Sequence, residues 1–481
     1  MNNLPRLCEQ TLSRLPATIG RPGYDRGQIK LGVLHFGPGA FHRAHQAAFF
    51  DELLAKDPRW GVSAVSLNSP GVRDALLPQD SLYTLAELDE TTRFRVLGAI
   101  GEVLLAPAAP EAVFDRLTHP DLRLVTITAT EKGYHLGGSG ELDLDHPDIR
   151  HDLANPTAPR SLIGWLSEGL RRRRVAGQAP LTVISCDNLS ENGHRLAAAV
   201  ARFAGETDPD LAAWVAGETR FPRTMVDSIT PATDEGLRTR VRQALGLDDA
   251  WPVQRERFAQ WVIEDLGIPD SPDWARVGVT LSSDVAGYEQ AKLRLLNAAH
   301  STLAYLGLLQ GATTVADAMR SPDLAAFVRR LMLEDIAATL RPPAGLILAD
   351  YVEAVLGRFG NPAIAHQLAQ IAADGSQKLP IRLLATIRDA LALGRPVDRL
   401  AVPLAAWMRF VVKQARNRQP IVDPLSETLI EIGGACTDLA QSDVEAFMRL
   451  DSLFPRDLAR LETFQRALRV AYSDLVDRFG P

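Results

Sequence analysis

The chain has 481 residues, 46% of them hydrophobic and 23% charged, with a net charge of −7. That length supports two or more domains around a large core. The balance is that of a globular protein, and neither the acidic charge nor a basic run limited to residues 171–174 suits a nucleic-acid partner.

Cys8, Cys186 and Cys436 are too scattered for a disulfide framework or a Cys-x-x-Cys metal site. The N-terminus lacks an apolar signal core, and no apolar run approaches the ~18 residues of a membrane span. A cytoplasmic protein with reduced thiols and no membrane partner is expected.

Residues 1–28 read as a short helix and a Pro/Gly-containing lead-in. A buried strand is predicted over 29–36. It runs into Gly37-Pro38-Gly39-Ala40-Phe41 and a helix over 46–56. Strand, glycine turn and helix in this order suit a dinucleotide pyrophosphate, because glycines admit the ligand to the backbone and the helix start offers N–H donors. A purely structural turn is the other reading, since His42 stands where a third glycine is usual. His42 and His45 lack a carboxylate or cysteine at ligand spacing, so no metal is expected there.

The second strand, over 60–67, ends in Ser66-Leu67-Asn68-Ser69-Pro70. Asn68 suits a ribose hydroxyl but does not repel a 2′-phosphate, and Arg73 is either a phosphate partner or a solvated helix charge. NAD and NADP both remain open at this point. Segments 83–88, 94–100 and 102–106 alternate like short antiparallel strands and predict an added β region.

A buried strand over 122–128 leads to Thr130-Glu131-Lys132-Gly133-Tyr134. A helix over 161–174 and a strand over 181–185 follow. That strand delivers Cys186-Asp187-Asn188 at its C-terminal end, where open α/β sheets place ligands. The following Asx-rich turn caps a helix starting near Gly193. Strands over 258–264 and 277–282 close the first half.

The remainder reads as helices over 315–319, 323–339, 348–358, 364–373, 381–393, 404–412, 442–450 and 458–479. Gly and Pro punctuate them. The expected class is α/β, with a Rossmann-like doubly wound domain carrying added strands over 1–283. A mostly α-helical domain over 284–481 would follow, with a cleft between the two.

The helix predicted over 288–306 is the least ordinary element. At about 100° per residue, Lys292, His300, Glu289 and Asn297 share roughly 140° of its circumference, and Leu and Ala fill most of the rest. An amine buried on such a face has a lowered pKa and can act as a base near neutrality; a solvated Lys–Glu edge with a core histidine is the alternative.

The string Lys292-x-x-x-x-Asn297-x-x-His300 resembles the signature of the mannitol dehydrogenase family, the long-chain polyol dehydrogenases and reductases. So do Gly-x-Gly-x-Phe-His-Arg-Ala-His at 37–45, Thr-Glu-x-Gly-Tyr at 130–134 and Ser-Cys-Asp-Asn-x-x-x-Asn-Gly at 185–193. Segments 221–231 and 374–380 extend the resemblance over nearly the whole chain.

The resemblance implies a zinc-independent oxidoreductase acting on a CH–OH group with NAD, NADP not being excluded. It implies Lys292 as general base, Asn188 and Asn297 as donors to the alkoxide, and His300 as a holder of substrate hydroxyls. Asp227 would bias the Lys292 charge or bind substrate, and Glu289 would pass protons to solvent unless it is an exposed helix acid. Phe36, Gly37, Pro38, Gly39, Ala40, Phe41, Asn68 and Glu131 would hold the cofactor.

Gln370 stands where mannitol 2-dehydrogenases carry an arginine. The loop variants, with Leu-Asp-His-Pro at 144–147, resemble the branch acting on keto-sugar acids. Interconversion of fructuronate and D-mannonate is therefore expected, and that of fructose and mannitol is the alternative. A uronate carboxylate needs a cation. Lys132 and Lys378 are the candidates, with Arg382 behind them. The expected partner is a small sugar acid or polyol, bound by a monomer or small homo-oligomer.

Overall fold

Strands β1 (Val33–Phe36), β2 (Val62–Ser66), β5 (Ile100–Leu105), β6 (Leu124–Ile127) and β7 (Thr182–Ser185) frame the first unit. In this computed structural model, which describes residues 4–138 and 140–480, they form one parallel sheet in the order β5-β2-β1-β6-β7. β1, β2, β6 and β7 are buried along their whole length, as strands covered on both faces must be.

Leu34, Phe36, Val125 and Ile127 pack on one side with the helices Pro110–Leu117, Leu162–Val175 and Asn192–Gly205. Val33, Val62, Ala64 and Leu124 pack on the other with the helix Gln46–Leu54, Trp261 and Trp274. The successive strands β1, β2 and β5 run outward one way, and β6 and β7 the other. The order therefore reverses between β1 and β6, where such sheets bind ligands.

Smaller sheets are added to this frame. β3 (Tyr83–Leu88) pairs antiparallel with β4 (Arg93–Leu97) and parallel with β9 (Val253–Glu256). β10 (Gln260–Glu264) pairs antiparallel with β8 (Thr224–Asp227) and parallel with β11 (Thr280–Ser282).

One expectation is corrected. Residues 102–106 do not belong to an antiparallel addition, because β5 joins the main sheet parallel to β2, with Val65 opposite Leu104. Its alternation comes from its place at the sheet edge. Glu102 accepts hydrogen bonds from Ser63 Oγ (2.7 Å) and Arg116 Nε (2.5 Å), so a polar residue interrupts an otherwise apolar strand. β9 escaped sequence reading for a related reason. Its Arg255 and Glu256 are buried, with Arg255 paired to Glu87 at 2.7 Å.

The chain divides between Val285 and Ala286 into two compact units. The second is helical and built around Ala298–Leu309, whose residues 298–307 are all buried. A helix apolar on every side has to be central. Around it pack Val315–Met319, Leu368–Ala372 and Asp398–Arg416. The last begins upstream of the predicted residue 404 and carries the buried Pro403 inside it.

Three segments of this unit are π-helical: Lys292–Asn297, Leu331–Ile336 and Pro380–Leu384. The first packs against both others. No helix among the described residues is long and apolar enough to cross a membrane.

Candidate active site

In the first unit the glycine loop follows β1. Gly37 has φ +90°, and a Cβ there would lie 2.1 Å from the Thr128 carbonyl oxygen, so only glycine fits. Its own carbonyl accepts from Thr128 Oγ1 (2.6 Å) and Gly39 N (2.7 Å), which closes the loop onto β6. At Gly39 the space for a side chain is open, with nothing nearer than 3.9 Å, so the backbone there is accessible to a ligand.

His42 lies in the core with its ring stacked on His35 at 3.3 Å between centroids, and His45 Nε2 sits 3.0 Å from the Gln260 carbonyl. Burial drives the His35 pKa down to about 3 and that of His42 well below its usual value. Both rings are packing groups.

A cleft of about 790 Å³ opens beside the loop, at the C-terminal ends of β1, β2, β5 and β6. Gly37, Pro38, Gly39, Asn68 and Lys132 line it. Phe36 is fully buried beneath, Ala40 and Phe41 start a short helix, and Glu131 is exposed on the turn Glu131–Tyr134; these four do not line the cleft. Arg73 is also off the lining, and its Nε donates to Asp74 at 2.8 Å. His135 and Asp148 on the cleft wall, together with His146, bring possible metal-ligating atoms within 4.8 Å of one another. His146 Nδ1 there accepts from Asp148 N (3.3 Å) and caps the helix Pro147–Ala154.

Sequence reading missed the organiser of this wall. Asp187 accepts from Ala129 N (2.9 Å), Thr130 N (3.1 Å) and Tyr134 Oη (2.6 Å), and Tyr134 Oη also lies 2.6 Å from Ser185 Oγ. Burial lifts the Asp187 pKa, although these hydrogen bonds oppose the rise. The clamp holds Thr130 at φ +62°, a backbone region disfavoured for a non-glycine residue. The signal available was the adjacency of Asp187 to Asn188 at a strand end.

Asn192 performs a second clamping job. Its Nδ2 donates to the Asp187 and Thr224 carbonyls (3.1 and 3.0 Å), and its Oδ1 accepts from Thr224 N and Gly193 N (2.9 and 2.7 Å). A Cβ on Gly193 would sit 2.5 Å from the Phe221 carbonyl oxygen, so helix Asn192–Gly205 approaches the lead-in to β8 closely. Asn188 is thereby left exposed beyond β7, and buried Asp227 ends β8.

In the second unit, uniform α spacing does not hold. The helix Val285–Ala291 gives way to the π turn Lys292–Asn297 before Ala298–Leu309 resumes. In a π turn residues five apart follow one another along the axis, so Lys292 and Asn297 share a face instead of lying about 140° apart. Lys292 and Asn297 are half-buried, as is Glu289 in the preceding turn. His300, one α turn beyond Asn297, is buried against Phe359 and His366 with its Nε2 unpartnered.

Lys378 Nζ donates to the Ala373 carbonyl (2.6 Å) and the Ile371 carbonyl (3.4 Å). Burial, and then the Arg382 charge, lower its pKa. Arg382 Nη1 donates to the Asn297 carbonyl (3.3 Å) and Ser301 Oγ (3.0 Å). The Asn297 carbonyl, Ser301 and Arg382 thus form one hydrogen-bonded group within the helical unit, and the Arg382 charge adds to the burial that lowers the His300 pKa. The segment 374–380, which falls between the helices predicted over 364–373 and 381–393, is mostly the short helix Gly375–Leu379.

Residues 31–275 match the model of the mannitol dehydrogenase Rossmann domain, and residues 284–476 that of the mannitol dehydrogenase C-terminal domain. The chain belongs to the mannitol dehydrogenase family.

Within this family of oxidoreductases the chain is 40% identical to D-mannonate oxidoreductase of Escherichia coli K12 over 475 residues, 97% of each chain. It is 36% identical to mannitol 2-dehydrogenase of Phaeosphaeria nodorum, covering 98% of this chain and 83% of the relative. The solved ternary complex of Pseudomonas fluorescens mannitol 2-dehydrogenase with NAD and D-mannitol superposes with a TM-score of 0.81 at 36% identity, covering 98% and 97% of the two chains.

Proposed function

We propose that this mannitol dehydrogenase family member is a zinc-independent, NAD-dependent oxidoreductase that interconverts fructuronate and D-mannonate in the cytoplasm. Residues 1–283 would serve as the cofactor domain and 284–481 as the substrate and catalytic domain. Similarity to D-mannonate oxidoreductase over 97% of the chain supports the substrate, together with Gln370 at the arginine position of mannitol 2-dehydrogenases. The similarity to mannitol 2-dehydrogenases keeps fructose and mannitol as the second reading.

The residues of the first cleft fit a dinucleotide. Gly37 and Gly39 leave backbone open to a pyrophosphate, and Asn68 offers an amide to a ribose hydroxyl. Arg73 pairs with Asp74, and among the described residues the β2 side of the cleft, lined by Ser66, Leu67, Asn68, Ser69 and Val72, holds no cation for a 2′-phosphate, which favours NAD. NAD supplies the hydride acceptor in the direction of oxidation.

Removing hydride from a secondary alcohol requires a base for the hydroxyl proton and donors for the developing alkoxide. Lys292 takes the proton, and the amides of Asn188 and Asn297 stabilise the oxyanion. His300, kept neutral by burial, fixes a substrate hydroxyl through its unpartnered Nε2. Asp227 biases the Lys292 charge or holds substrate, Lys378 binds substrate oxygens, and Glu289 passes the proton to solvent.

The single observation carrying the mechanism is the π turn that puts Lys292 and Asn297 on one face, one turn from His300. Steady-state rates with fructuronate, fructose, mannonate and mannitol, each with both nicotinamide cofactors, test the substrate. Faster turnover of fructose than of fructuronate overturns the uronate reading. Lys292→Ala is expected to lose at least about 100-fold in turnover, and an unchanged rate removes Lys292 as the base.

A further inference from the structure

Arg382 carries a charge that no acid answers. It sits in the π-helical segment Pro380–Leu384, partly buried, and among the described residues it pairs with no carboxylate. Two acids of the same unit are held by other groups. Asp423 accepts from Ser376 N (2.8 Å), Ser376 Oγ (2.5 Å) and Leu425 N (2.9 Å), and Asp389 pairs with Arg294 (2.5 Å). Burial lowers the Arg382 pKa, and of its surroundings only the Tyr305 phenol opposes that. A desolvated cation without a counter-charge is unfavourable, so this one calls for an anion from outside the chain.

The geometry describes that anion. Both contacts of Arg382 use Nη1, which ties it to the Asn297 carbonyl and Ser301 Oγ. Among the described residues its Nε and Nη2 make no hydrogen bond, and neither is among the buried unpartnered atoms. That free edge is the fork that takes the two oxygens of a carboxylate side by side. Lys378, one turn back, adds positive charge, but its ammonium is already bound to two backbone carbonyls. Lys132 stands exposed in the other unit. Neither lysine offers the two parallel donors that the arginine edge does.

We infer that Arg382, oriented by Ser301, binds the carboxylate of the sugar acid and is the residue that selects an acid over a neutral polyol. This rests on the proposed reaction. Ser301 is a positioning residue, because it acts through the guanidinium.

The test compares wild type with Arg382→Gln, Arg382→Lys and Ser301→Ala. It reads kcat/KM for fructuronate, fructose and fructose 6-phosphate, and calorimetric binding of D-mannonate to the NADH complex. Melting temperature and the NADH dissociation constant report on the fold. Arg382→Gln is expected to lower the fructuronate-to-fructose ratio of kcat/KM about 100-fold and to weaken mannonate binding by a similar factor. Arg382→Lys recovers part of both, and Ser301→Ala raises KM for fructuronate more than it lowers kcat.

Equal losses on acid and neutral sugar make Arg382 a structural residue and overturn the inference. So does mannonate affinity kept within threefold of wild type, or a wild-type preference for fructose 6-phosphate that Arg382→Gln abolishes. A wild type inert toward both acids overturns the reaction and this inference together. A wild type that uses them while Arg382→Gln keeps its affinity overturns the inference alone.

Discussion

Removing the Asp187 carboxylate tests whether the proposed cofactor cleft depends on a clamp behind it. Asp187→Ala deletes the acceptor for two backbone N–H groups and the Tyr134 hydroxyl, at 2.9, 3.1 and 2.6 Å. Hydrogen bonds to an ionised acceptor contribute about 1.5–3 kcal/mol each, so the gross loss is on the order of 5–9 kcal/mol. Desolvation of the carboxylate, which raises the Asp187 pKa, opposes this loss. Thr130, released from φ +62°, recovers about 1–3 kcal/mol more. A net destabilisation of about 2–4 kcal/mol remains, concentrated in residues 129–134. Because Thr130, Lys132 and Gly133 line the cleft, NADH affinity should fall at least about tenfold. Urea denaturation and fluorescence titration with NADH measure the two effects. Asp187→Asn, which keeps one acceptor but turns an amide N–H towards another donor, should fall between wild type and alanine. Stability within ~1 kcal/mol of wild type, together with an unchanged NADH dissociation constant, would show that the clamp is dispensable.

Three further expectations concern the glycine loop, the buried histidines and the proposed metal-free chemistry. Gly37→Ala puts a methyl group 2.1 Å from the Thr128 carbonyl oxygen at φ +90°, so NADH binding should be lost or the protein should fail to fold; wild-type titration and melting curves would refute this. His35 and His42 have folded pKa values depressed below 6.5, so the unfolded chain binds their protons more readily. Stability is therefore fully present above pH 6.5 and is lost as pH falls from there towards 3, by up to about 1.4 kcal/mol per pH unit for each ring. Urea midpoints between pH 7.5 and pH 5 check the sign, and a flat profile contradicts it. Overnight dialysis against a chelator should leave turnover intact, because in the proposed mechanism an amine and two amides supply the base and the oxyanion donors; loss reversed by Zn²⁺ would overturn that assignment.

The parallel frame could be read from the sequence because its strands are short apolar runs closed by glycine, Asx or Pro punctuation. The glycine turn could be read because Gly37 needs a conformation other residues avoid. What misled was local polarity with a distant cause. Glu102 made an edge strand of the main sheet resemble an added antiparallel strand, since its partners Ser63 and Arg116 lie far away in sequence. Arg255 and Glu256 hid β9 for the same reason, as Glu87 neutralises Arg255 from a neighbouring strand. Asp187 and Asn192 were visible as residue types, but their work consists of bonds to backbone of other loops. No periodicity encodes such bonds.

The helical unit shows the complementary limit. Residue identities at 292, 297 and 300 can be read off, yet their angular arrangement depends on one hydrogen-bond shift that composition does not announce. With α spacing throughout, Lys292 and Asn297 diverge by about 140°. With the π turn they align, and the extra residue is accommodated where two other π segments pack against it. One of those segments carries Arg382, whose Nη1 reaches the Asn297 carbonyl. The distorted turn and the unanswered charge are thus fastened to each other. Inserting one alanine after Leu293 would rotate Lys292 and every residue before it by about 100° relative to Asn297. Turnover should therefore collapse while the buried face over 298–307 keeps the unit folded, and an insertion variant with wild-type activity would show that the register of Lys292 against Asn297 is incidental.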